Sequence, residues 1–77
     1  CESQIGAAWY FKGDYDKAIN HYVNALNKGA DAGMMDDNVW EAAEALYNKN
    51  NDKAPMQKYL SIFPNGQYVK KANKLMG

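Results

Sequence analysis

Seventy-seven residues make one small domain, which hides only about 60–65% of the surface its unfolded chain exposes. Nine lysines balance nine acidic residues and there is no arginine, so net charge argues against a dedicated nucleic-acid binder. One cysteine and one histidine exclude an internal disulfide and a metal centre built from those residues alone, and no apolar run approaches the ~20 residues that span a bilayer.

The periodicity is helical from one end to the other, and no stretch alternates as a strand does. Ile5, Ala8, Trp9 and Lys12 fall on one helical face. Gly13 interrupts that helix, being suited to the left-handed conformation that ends one, and Asp14 follows as an N-cap. The second helix carries Tyr15, Ala18, Ile19, Tyr22, Val23, Ala25 and Leu26 as a broad apolar stripe and stops near Gly29. Two helices with so short a turn form an antiparallel hairpin. Residues 31–36 read as a loop, with Met34 and Met35 tucked under a neighbour and Asp36 or Asp37 capping the third helix. That helix presents Val39, Trp40, Ala43, Leu46 and Tyr47. Asn50-Asn51-Asp52 forms the next turn, Asp52 caps the fourth helix, and Pro55 sits in its first turn, where a missing N–H costs no hydrogen bond. Met56, Tyr59, Leu60 and Phe63 make its inner stripe, and Pro64-Asn65-Gly66 ends it. A fifth helix has Tyr68, Val69, Ala72, Leu75 and Met76 on one side and Lys70, Lys71 and Lys74 on the other.

The segment Ile5 to Leu26 resembles the tetratricopeptide repeat. Ile5-Gly6 stands for the family's Leu-Gly pair, Trp9 for an aromatic, Gly13-Asp14-Tyr15 for its turn, and Ala18, Tyr22 and Ala25 for the second-helix series. Ala30 replaces the usual closing proline. Small Gly6 and Ala18 let the helices approach, and Trp9, Tyr22 and Ile5 fill the remaining volume. A weaker second copy uses Trp40, Ala43, Tyr47, Leu60 and Phe63; Trp9 and Tyr47 lie 38 residues apart against the family's ~34. The resemblance implies an all-α fold of about five helices, a right-handed αα-superhelix. One domain over 1–77 then divides into repeat one at 1–30, a loop at 31–36, repeat two at 37–64 and a capping helix at 65–77, as the C-terminal piece of a longer array or the ordered part of a longer chain.

It further implies a non-catalytic scaffold that binds a protein or peptide in a concave helical groove. The groove positions are Tyr10 and Phe11 on the first helix, and Asn38, Glu41, Ala45, Asn48 and Lys49 on the third. Ala7 and Ala42 stand where members that clamp a C-terminal carboxylate carry asparagines, so that mode is not expected. No catalytic constellation, metal site or cofactor motif is found: His21 is read as a surface residue, and Glu41 with Glu44 as a solvated face. The alternative is a bacterial envelope lipoprotein or assembly subunit that self-associates through its repeat ends. Cys1 is then the acylated residue and the only reason to expect a membrane; otherwise it is the incidental first residue of a fragment or a buried thiol. Envelope and cytoplasm both stay open, with a lean to the envelope.

The charges are unevenly placed. Residues 1–52 carry net −5 and residues 53–77 net +5, with no acid in the second segment. Such asymmetry can mark an acidic partner or an anionic membrane surface; the simpler reading is lysines that complement helix C-termini.

Overall fold

The computed structural model describes residues 2–77, and the lipidation candidate Cys1 lies outside the described residues. Among the described residues there are five helices and no strand: α1 (Glu2–Phe11), α2 (Tyr15–Asn27), α3 (Ala32–Asn50), α4 (Ala54–Ile62) and α5 (Val69–Met76). None is long and apolar enough to cross a membrane. The all-α expectation therefore holds. Each helix packs chiefly on its neighbours in sequence, with α1 also reaching α3, and the chain forms a slab of 35 × 27 × 13 Å.

The punctuation follows the sequence closely. Gly13 and Gly29 have φ of +88° and +96°, the left-handed conformation that lets α1 and α2 end where they do. Asp14 caps α2, its carboxylate accepting the Lys17 N–H at 3.3 Å. Asn51 takes the left-handed position after α3, as a glycine substitute. Pro55 sits in the first turn of α4. The cap position of α4 falls on Lys53, one residue after the expected Asp52, because the helix starts at Ala54; the Asp52 side chain nevertheless accepts the Ala54 N–H at 3.0 Å.

Two expectations are corrected. Residues 32–36 are not loop but the opening turns of α3, capped by Asp31, whose carboxylate accepts the Met34 N–H at 3.0 Å. Neither Asp36 nor Asp37 is a cap. The buried stripe of α3 runs on toward its N-terminus through Met35 and Asp36, so Met35 is buried as part of a helix, while Met34 points outward at 63% exposure. The second correction concerns α1. Ile5 is 43% exposed rather than a filler of the hairpin. The face that α1 buries is centred on Gly6, where an added Cβ would lie 2.8 Å from the Tyr22 ring and 3.1 Å from the Ala18 carbonyl. The close approach itself is therefore as the small residues suggested.

The core runs along the slab through Ala18, Ile19, Tyr22, Val39, Ala42, Ala43, Met56, Tyr59 and Ala72. Helix α3 is its spine. It buries seven residues, with Ala42 and Ala43 both at 0% exposure, because α2 and α4 pack on it from different sides.

Candidate functional site

The C-terminal turn of α1 ends at a left-handed glycine, so its last aromatic side chains are not covered by a continuing helix. Phe11 is 84% exposed. Tyr10 beside it is half-buried, edge-on to Phe11 at 5.6 Å and tilted against Tyr15 at 5.3 Å. Helix α3 lies alongside and presents Glu41 and Glu44 to solvent. Burial, then the charges of Glu41, Tyr15 and Glu44, pushes the Tyr10 phenol above its ordinary value. Both carboxylates thus act on Tyr10 from α3, and Glu41 also acts on Tyr22 and Tyr68.

The seven expected groove residues are thus partly assembled. Tyr10 touches Phe11 and feels the Glu41 charge, and Ala45 is half-buried one turn beyond Glu41. Asn48 is exposed and Asn38 half-buried. Ten residues of helix separate the two amides, about 15 Å along the axis, so they cannot hold the same peptide group. Lys49 is engaged elsewhere. Its ammonium donates to the Gly13 carbonyl at 3.4 Å and lies 5.8 Å from the Tyr15 ring centre, tying α3 to the α1–α2 turn. It serves that turn before any ligand.

Beyond Glu44 the same helix borders α5. There Trp40, Glu44, Lys71, Lys74 and Leu75 line a shallow notch of about 280 Å³. Its floor is held rigidly: the Trp40 ring stacks on Tyr68 at 5.1 Å with the planes 3° apart, and meets Tyr59 edge-on at 5.3 Å. Lys71 stands over Tyr68, 5.5 Å from the ring centre. The sequence predicts Trp40 and Leu75 as core and Lys71 and Lys74 as the solvated side of a cap; Trp40 is core, 4% exposed, and borders the notch only with that remnant of surface. Their pairing depends on how α5 is rotated against α3, which periodicity within either helix does not contain.

A second polar constellation is structural. Buried Asp36 accepts from the Tyr59 hydroxyl through one oxygen and from the Gln67 N–H at 2.9 Å through the other. The Tyr59 oxygen in turn accepts the Tyr68 N–H at 3.0 Å, and the Tyr68 hydroxyl donates to Asp37 at 2.6 Å. These bonds staple the α4–α5 turn onto α3, and no buried side-chain polar atom among the described residues lacks a partner. His21, expected at the surface, is half-buried, its Nδ1 2.8 Å from a Glu2 oxygen; Lys28 reaches the other Glu2 oxygen at 3.4 Å. Both bonds, outweighing the cost of burial, hold the Glu2 carboxyl below its ordinary value. Among the described residues, no group of three or more His, Cys, Asp or Glu is placed to hold a metal ion.

Compared with protein-family models, with curated proteins and with solved structures, the chain matches none.

Proposed function

We propose that this chain is a non-catalytic helical-repeat module, similar to tetratricopeptide repeats, that binds a peptide or protein segment along the face shared by α1 and α3. The observation that carries the reading is Phe11, 84% exposed beside Tyr10, whose phenol feels the charges of Glu41 and Glu44. A large apolar ring left in water next to a polar rim has the composition of an interaction surface. The way the helices follow one another supports the repeat reading. Neighbour-on-neighbour packing and a glycine at the closest helix approach are what a stack of antiparallel hairpins requires. In that reading the stack winds as a right-handed superhelix, with α1 and α3 lining its concave side.

A peptide selected from a random display library against the whole chain tests the proposal. Replacing Tyr10→Ala together with Asn48→Ala is expected to weaken that peptide about tenfold, with helicity by circular dichroism unchanged. Unchanged affinity counts against the α1–α3 face. Analytical ultracentrifugation adds a control: a dimer that dissociates in Phe11→Ala would make a second copy, rather than a foreign segment, the occupant.

A further inference from the structure

The notch between α3 and α5 combines an apolar floor with two cations at its rim. Trp40 and Leu75 form the floor, and Lys71 and Lys74 stand on one side, both exposed. Lys74 makes no hydrogen bond or ion pair with any described residue, and Lys71 makes only its ring contact with Tyr68. Glu44 also lines the notch, yet it lies too far from either ammonium for an ion pair and is exposed. The rim of the notch therefore carries two ammonium groups and one carboxylate, with no ion pair closed between them. No acid follows Asp52 in the chain, while Lys53, Lys58, Lys70, Lys71 and Lys74 all do, so α5 itself contributes only positive charge, set against Asp37, which accepts from Tyr68, and Glu44 on α3.

Glu44 links this notch to the α1–α3 face, since its charge reaches Tyr10 while its side chain borders Trp40 and Leu75. The face is accordingly ordered from end to end. Aromatic rings and carboxylates stand at α1, and an apolar depression with ammonium groups stands at α5. A ligand that complements the α5 end needs an apolar side chain for the depression and carboxylates beside it. Such a ligand gains twice: its apolar group leaves water, and its charge meets cations whose aliphatic stems already lie on protein. A neutral or basic segment would bring no counter-charge to Lys71 and Lys74.

We propose that the partner segment is acidic, with an apolar side chain flanked by Asp or Glu, and that the apolar group seats on Trp40 and Leu75 while Lys71 and Lys74 bind the carboxylates. The proposal rests on the reading of this face as a binding surface and names the chemistry of its occupant. The test uses the full chain carrying Trp9→Phe, which leaves Trp40 as the single tryptophan reporter. The probes are three end-blocked peptides, a leucine flanked on each side by two glutamates, two lysines or two serines. The glutamate peptide is expected to shift Trp40 emission saturably and to bind about tenfold more tightly than the serine peptide. Raising salt should weaken it, because the rim is exposed and its charges are screened. Lys74→Glu is expected to reverse the order of the glutamate and lysine peptides, with circular dichroism checking the fold; that side chain makes no hydrogen bond, ion pair or ring contact with any described residue. Lys71→Glu should act in the same direction, with circular dichroism checking that loss of its ring contact leaves the helices intact. Equal binding of the three peptides, or an affinity for the glutamate peptide that Lys74→Glu leaves unchanged, overturns the proposal. Selective binding of the lysine peptide, abolished by Tyr10→Ala, would overturn the acidic partner while leaving the binding face in place. Binding of no peptide by either end of the face would remove both.

Discussion

Asp36 is the residue on which the most structure converges. It is 5% exposed and accepts from both Tyr59 and the Gln67 backbone, and an added Cβ at Gly66 would collide with the Tyr59 hydroxyl, with Phe63 Cβ at 2.8 Å and with Asp36 itself at 3.1 Å. Removing the carboxylate leaves the buried Tyr59 hydroxyl and the part-buried Gln67 N–H without their acceptor, the buried donor alone costing about 1–3 kcal/mol. Asp36→Ala should therefore lower stability by roughly 2–4 kcal/mol in urea unfolding, a large loss for a domain of this size. Gly66→Ala should cost about 1–3 kcal/mol through overpacking at the same place. The tyrosines give the cluster a pH signature. Burial first and the Asp36 bond second raise the Tyr59 phenol, and the Asp37 bond first and burial second raise Tyr68, both from the ordinary 10. The unfolded chain loses these protons near pH 10 while the native chain keeps them. The contribution is thus complete below pH 10 and falls as pH rises through and beyond that value. Stability measured against pH should decline on the alkaline side, and Tyr59→Phe should make that decline shallower.

At the level of the helices, most of what the sequence shows is local chemistry: caps, left-handed residues and stripes. Gly13, Asp14, Asn51 and Pro55 mark the element ends correctly because each acts within a few residues of itself. The start of α3 differs from the expected loop, whose glycines and aspartates have a loop's composition. Yet Asp36, Val39, Trp40 and Ala43 already have the spacing of one helical face, and Asp31 has the cap's place. Asp36, expected as a cap, is instead a buried acceptor on the apolar stripe, and its donors, Tyr59 on α4 and the Gln67 N–H in the following turn, lie 23 and 31 residues on, out of reach of periodicity. The same limit hid the notch and the His21–Glu2 bond, which both depend on how one helix lies against another. That bond fastens the first turn of α1 to α2. Because Glu2 is held below its ordinary value of 4.5, its contribution is present above that value and disappears as pH falls through the lowered one. Glu2→Gln should flatten the acid limb of the stability profile, and an unchanged limb would mean that the Glu2 bonds to His21 and Lys28 do not bear on folding.

The molecule as a whole is a row in which each helix leans on the next, and such a row does not melt evenly. Helix α3 has packing partners on both sides and buries seven residues, whereas α1 buries only Gly6 and α5 only Ala72. The ends differ from each other in what secures them. Helix α1 relies on the Gly6–Tyr22 approach and on Glu2, both toward α2. Helix α5 packs on α4, but the turn leading into it is also tied to α3 by Asp36, Asp37 and the Trp40–Tyr68 stack. Native-state hydrogen exchange should therefore find the slowest amides in the middle of α3 and faster, sub-global exchange in α1 and α5. Asp36→Ala should accelerate α5 selectively, leaving the ratio of α1 to α3 exchange near its original value, because nothing in the cluster touches α1. A single opening rate shared by all five helices in the native chain, or equal acceleration of α1 and α5 in the variant, would mean that the row behaves as one cooperative unit. The notch over Trp40 would then open and close with the whole fold rather than with α5, and ligand binding there would protect α1 as strongly as α5.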